Sequence, residues 1–210
     1  MDVTDEILGE ALKHFDEAGI ASPVQEPGAV LVLGLATKPG QDLDEVYFDG
    51  SRMRFNGWRT HVKPRIEAVL AAMADRGLEA SAAGWWGYPM SLDIEPGTEL
   101  MHLKGLAVTA GLGRQGRNTL VLHPRFGPWW RLAAIRTEAP LRSTGPGRYD
   151  RSEHPACRDC RACIEACPTG CLESYRLPDR RRCRADVPDE PVRGLISWCD
   201  CCLAACPIGR

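Results

Sequence analysis

The sequence predicts an α+β protein of two unlike parts. Residues 1–141 read as a mixed helix-and-strand α/β domain, residues 142–150 as a linker and residues 151–210 as a cysteine-rich module. Three observations predict this division. Up to residue 141, segments with helical apolar spacing alternate with short apolar runs bounded by turn residues. All ten cysteines fall from Cys157 to Cys206. Between the two regions, Arg142 to Asp150 (RSTGPGRYD) is rich in glycine, proline and serine, the composition of a connection.

The first helix is expected over residues 4–18 (TDEILGEALKHFDEA), capped by Thr4 or Asp5 and ended by Gly19. Residues 29–36 (AVLVLGLA) are short, apolar and valine-containing, and so predict a buried strand. Residues 60–77 place Val62, Ile66, Val69, Leu70 and Met73 on one helical face, with Pro64 in the first turn and Gly77 at the end. Residues 79–89 predict a strand and a glycine-aromatic turn. Residues 98–110 predict a helix capped by Thr98, and residues 118–123 and 131–137 predict two strands.

Composition is that of a soluble globular chain: 44% apolar and 26% charged residues over 210 positions, with a net charge of −2. Such a balance provides no overall field for nucleic acid or an anionic membrane. The N-terminal MDVTDEILGE has acids and no apolar run, unlike a signal peptide or a span, so a cytosolic location is expected. Thiols stay reduced there, and the clustered cysteines therefore read as metal ligands rather than a disulfide framework.

Cys157, Cys160, Cys163 and Cys167, followed by Pro168, form C-x2-C-x2-C-x3-C-P. In this bacterial-ferredoxin run three thiolates grip one cubane and the fourth reaches a second. Zinc sites favour separated pairs instead. Cys199, Cys202, Cys206 and Pro207 repeat the last part of the run, and Cys183 is the available substitute for the missing first cysteine. The expected ligand sets are Cys157, Cys160, Cys163 and Cys206 on one [4Fe-4S] cluster, and Cys167, Cys183, Cys199 and Cys202 on the other. Cys171 and Cys201 are left as small buried thiols or alternate ligands. A module of this size needs such cofactors to hold its fold.

Ahead of the module stands AGLGRQGRNT, residues 110–119, which contains G-x-G-x-x-G. A dinucleotide loop needs a strand before its glycines and a helix after them, whereas here a helix is expected before and a strand after. The loop, the P-x-x-G turn at Pro124 to Gly127, and Thr137 to Leu141 at the end of a strand resemble the segment before the double-cluster module of epoxyqueuosine reductases and reductive dehalogenases. With the cysteine run, the resemblance covers roughly residues 100–206, in a short form of that family. It implies a nitroreductase-like domain that cradles a corrinoid (cobalamin), one cluster near the cobalt and another that takes electrons from an external ferredoxin, flavodoxin or reductase. It also implies cofactor contacts from the glycine loop: Gly111, Leu112, Gly113, Gly116, Arg117, Asn118 and Thr119.

The position of the family's catalytic carboxylate falls at Gly97 in an ungapped alignment, with Asp93, Glu95 and Glu99 nearby. The family's tRNA-holding repeat domain has no counterpart in this sequence. A small molecule or a modified nucleoside is therefore the expected substrate, with tRNA and membrane not expected as partners. His102 and Tyr88 are the candidate catalytic proton donors, His102 because its pKa lies nearest neutrality. The bland readings are a helix-surface histidine and core aromatics at Trp85 to Tyr88. Arg180 to Arg182 reads as a solvated face. Two other classes of function stay open: an electron-transfer protein or reductive activator with two clusters and no substrate of its own, and a zinc-stabilised binding module.

Overall fold

The computed structural model describes residues 2–22, 28–37, 46–49, 52–55, 57–85, 100–146, 153–179, 182–184, 195–196 and 199–209. In chain order these form α1 (Val3–Ala11), β1 (Glu17–Ala21), β2 (Ala29–Ala36), β3 (Val46–Asp49), β4 (Arg52–Phe55), α2 (Lys63–Ala74) after a π-helical turn at Trp58–Val62, and β5 (Ala80–Trp85). Then follow β6 (Leu100–Met101), α3 (Leu103–Thr109), β7 (Arg114–Gln115), β8 (Val121–Leu122), β9 (Trp130–Thr137), α4 (Ala162–Glu165), β10 (Leu195–Ile196) and α5 (Cys201–Ala204).

A five-stranded sheet in the order β1-β2-β9-β5-β6 carries the first domain. Its centre is β2 against β9, antiparallel over the full length of both, from Ala29↔Thr137 to Ala36↔Trp130. Side chains alternate across a strand, and both strands are apolar on both faces. Leu31, Leu33, Ala133 and Ile135 face one side, where α1 contributes Ile7 and α2 contributes Ile66, Val69 and Met73. Val30, Val32, Leu132 and Ala134 face the other, where Leu103, Ala107 and Val108 of α3 pack. The result is a sheet covered on both faces, in which each fully buried Leu or Ile contributes about 1.5–3 kcal/mol.

The mixed helix-and-sheet class is as expected, but the sheet is mostly antiparallel, with β5 and β6 its parallel pair. Helix α1 ends at Ala11 rather than continuing to residue 18, and Gly19 lies inside β1. The reason is tertiary: β1 pairs with β2 from Glu17↔Gly34 to Ala21↔Val30, burying Ile20 and Ala21, and this outweighs the helical periodicity of the segment. Helix α3 likewise starts at Leu103, with His102 rather than Thr98 at its cap.

The linker is tied to the first domain at its start. The Thr144 hydroxyl donates to the Ala110 carbonyl (2.8 Å) and accepts from the Ile20 N–H (2.8 Å), and the Arg142 N–H donates to Thr4 Oγ1 (3.1 Å). None of the described helices is long and apolar enough to cross a membrane.

Candidate functional site

The two halves of the cysteine pattern fold alike. Arg161 and Asp200 occupy equivalent cap positions, at φ −122°, ψ 5° and φ −115°, ψ 10°. From each cap the same backbone ladder follows. Glu165 and Ala204 donate to the cap carbonyls, Ala166 and Ala205 to Ala162 and Cys201, and Cys167 and Cys206 to Ile164 and Leu203. A single four-residue helical turn thus projects Cys163 and Cys202 at the same station, and the two turns pack against each other. Upstream, Cys157 closes a 3-10 turn whose cap is His154, with Nδ1 accepting from the Ala156 N–H.

Cys157, Cys160, Cys163 and Cys206 line one cavity, brought there from the first ligand run and the last. Cys157, Cys163 and Cys206 are buried. The Cys163 thiol is pushed up, first by burial and then by Cys157, Cys160 and Cys206. The neighbours of Cys202 are a different set: burial, then Cys183, Cys163 and Cys167, push it to about 12. Mutual opposition to ionisation is what crowded thiols show until a cation neutralises them. Among the described residues no group of three or more His, Cys, Asp or Glu converges as a single-ion site. Thiols spread around a cavity suit a multi-iron core better than one tetrahedral zinc, whose Zn–S bonds are about 2.3 Å.

Around the second set, the turn after Cys167 is shaped by Gly170 at φ +58°. Burial raises the Cys167 thiol, but hydrogen bonds from Thr169, the Leu172 N–H and Cys171 outweigh it and hold it at about 7. Cys171, expected as a small buried thiol or an alternate ligand, sits beside this set. It is buried, its sulfur is 3.6 Å from Cys167 Sγ, and it hydrogen-bonds Cys183. Cys199 and Cys201 are half-buried beside α5.

The glycine loop bends back on itself as a hairpin, with Arg114 opposite Leu122 and Gln115 opposite Val121. Gly111 ends α3 at φ +78°, and the helix precedes the glycines, opposite to a dinucleotide loop. A Cβ on Gly113 would lie 2.6 Å from the Leu122 carbonyl oxygen, and one on Gly116 2.7 Å from Asn118 Oδ1, so both glycines permit close approach of the chain to itself. Leu112 is buried and Thr119 holds φ 68°. Arg117 is clasped to the cysteine module. Its Nε donates to the Cys157 carbonyl (3.1 Å), Nη2 to the Arg158 carbonyl (2.8 Å) and Nη1 to Ser174 Oγ (3.1 Å), and the guanidinium lies over the Tyr175 ring. Arg117 and Asn118 both line the four-cysteine cavity.

His102 is exposed and caps α3, with Nδ1 accepting from the Gly105 N–H at 3.2 Å. Lys104, two residues on, is close enough to lower the Cys183 thiol. Tyr88, with Asp93, Glu95, Gly97 and Glu99, lies outside the described residues. Of the arginine run, Arg182 donates to the Thr169 carbonyl, which ties it to the Cys167 turn. An unforeseen pair lies within residues 1–141: buried His123 meets Glu17 (Nε2–Oε2 3.0 Å) and stacks on Phe126, in the turn whose Gly127 abuts Ile208.

Comparison with known proteins gives this geometry its context. A Synechococcus epoxyqueuosine reductase is 34% identical over 116 residues, 50% of this chain and 34% of that protein. A Burkholderia pseudomallei epoxyqueuosine reductase is 32% identical over 153 residues, 66% of this chain and 36% of that protein. The chain's curated homologues are epoxyqueuosine reductases. The matched segment spans about a third of their length, and no family model matches.

Solved structures agree on the fold. Epoxyqueuosine reductase from Streptococcus thermophilus superposes over 100% of this chain and 66% of its own, with TM-score 0.66 and 16% identity. A catabolic reductive dehalogenase in complex with 3-bromo-4-hydroxybenzoic acid matches over 93% of this chain and 30% of its own, with TM-score 0.63 and 19% identity. A further epoxyqueuosine reductase, TM-score 0.64 over 98% of this chain and 64% of its own at 17% identity, was solved with an epoxyqueuosine-modified tRNA-Tyr stem loop. That complex corrects the expectation of a small-molecule substrate and no tRNA. That expectation drew on net charge, and an overall charge of −2 does not exclude a local site for a tRNA loop.

Proposed function

We propose that this chain is the redox part of a reductase that acts on epoxyqueuosine in tRNA, with two [4Fe-4S] clusters and a corrinoid as cofactors. The observation that supports it best is the convergence of Cys157, Cys160, Cys163 and Cys206, from opposite ends of the module, on one cavity. Their neighbours fit a cluster: three buried thiols, a cation at Arg117 and a backbone that repeats the ligand turn. Cys167, Cys183, Cys199 and Cys202 are the second ligand set in this reading, and the ferredoxin-like module and nitroreductase-like domain are its two parts. When bound, the clusters supply single electrons and the corrinoid a strongly reducing metal centre.

Converting an epoxide to an alkene takes two electrons and two protons and releases water. The chain's part is to hold the cofactors, exclude water and supply protons. His102 suits the last task. Its Nδ1 accepts from the Gly105 N–H, which fixes the ring at the start of α3 and leaves Nε2 as the nitrogen through which a proton would pass. The glycine loop, from Gly111 to Thr119, sits between α3 and the four-cysteine cavity and is the proposed border between corrinoid and cluster.

Anaerobic reconstitution with iron and sulfide should give about eight irons per chain and a broad band near ~400 nm that dithionite bleaches. Added cobalamin should then perturb the Co(II) EPR signal, and a tRNA stem loop bearing epoxyqueuosine should be converted under reducing conditions. Clusters without cobalt perturbation or conversion would leave an electron-transfer protein. A colourless zinc protein would remove the proposal altogether.

A further inference from the structure

Asn118 belongs to the glycine loop, yet its surroundings are those of the cysteine module. The residue is 4% exposed and lines the four-cysteine cavity. Its Oδ1 accepts the Leu120 N–H at 3.2 Å. This bond fixes which way round the amide sits, because Nδ2 cannot accept a hydrogen bond. Among the described residues no partner engages Nδ2. Among the described residues the fully buried side-chain atoms without a partner are Thr37 Oγ1 and Tyr175 Oη, so the Asn118 amide nitrogen retains accessible surface, and a donor at the lining of a cavity is available to what the cavity holds. The remaining lining of the cavity is mainly thiols and apolar side chains, such as Leu122, Ala156 and Ile208, and these offer no oxygen to receive it.

We propose that Asn118 Nδ2 donates an N–H···S hydrogen bond to the cluster held by Cys157, Cys160, Cys163 and Cys206, and so sets that cluster's reduction potential. The inference rests on the cluster reading above. The backbone is built to hold the donor in place. Gly116 has no Cβ, which would come within 2.7 Å of Asn118 Oδ1, and the neighbouring Thr119 takes a left-handed conformation to complete the tight turn. Arg117, the preceding residue, holds the Cys157 and Arg158 carbonyls, so the ligand loop and the donor move as one unit. Donors to cluster sulfur favour the more negative, reduced state and raise the potential. Asn118 is therefore a positioning and tuning residue rather than a catalytic one.

The test is an EPR-monitored redox titration of the reconstituted protein. Asn118→Asp keeps the acceptor for Leu120 and removes the donor, and Asn118→Leu removes both. With iron content unchanged, each variant should lower the midpoint of this cluster by about tenfold or more in the reduction equilibrium, about 59 mV for a one-electron couple. The second cluster serves as internal control and should stay in place. Unchanged midpoints in variants that retain their iron overturn the inference while leaving the cluster reading intact. Wild-type protein that takes up no cluster overturns the reading itself. A third measurement does not depend on the variants. Pulsed EPR of the reduced wild type, with 15N in the asparagine side-chain amide, should show a coupling to the cluster spin, and its absence also overturns the inference.

Discussion

The sheet domain and the cysteine module share one chain but are held together by different forces. In the first, Ile7, Ile20, Leu31, Leu33, Met73 and Ile135 are fully buried, and strands of eight residues pair along their whole length. In the second, among the described residues, the α-helices are single turns of four residues, and the buried apolar residues beyond the cysteines are Leu172 and Leu203. Isolated helices of that length are unstable in water. Hydrophobic burial therefore accounts for the one region, and in the proposed reading thiol ligation accounts for the other. The seam between them includes directed polar contacts from Arg117 to the Cys157 loop.

Removing the metal should break this comparison most sharply. Chelation of iron from reconstituted protein should abolish amide protection over residues 157–167 and 199–206 while leaving residues 29–36 and 130–137 protected, as read by hydrogen exchange. Equal loss in both regions would mean that the sheet depends on the clusters too.

The converse change lies in the sheet core. Leu33→Ala should cost about 2–5 kcal/mol of unfolding free energy in urea melts, with the visible band per folded chain unchanged. A bleached band at unaltered stability would reverse the assignment of forces.

The smallest effect concerns the His123–Glu17 pair within residues 1–141. Burial lowers the His123 pKa, more than Glu17 raises it and with some help from Arg125. The neutral ring is thus favoured in the folded state, and stability present above about pH 6.5 is lost as pH falls through the lower folded value. The wild type should lose more urea resistance than His123→Gln between pH 7.5 and pH 5.5, and equal losses would place the acid sensitivity elsewhere.

Much of the fold was legible in the sequence because it rests on local rules. Strand β2 falls at its expected bounds, residues 29–36, and β9 begins one residue before the apolar run that foretold it. Such runs mark strands wherever they end up. The end of α1 was not legible, because residues 17–21 change state by pairing with β2, a partner that no local pattern names.

The candidate site divides along the same line. The sequence by itself determined the cysteine spacing, and with it the repeated ladder after Arg161 and Asp200, because a helical turn and its cap are settled within a few residues. The spacing had already grouped Cys157, Cys160, Cys163 and Cys206, the four that line one cavity; tertiary structure alone decided that Cys171 lies against Cys167 and Cys183, and that Arg117 and Asn118 meet the cysteine run. The Arg117 contacts join positions some forty residues apart, and what faces a loop across such a distance depends on how the sheet, the hairpin and the module pack together.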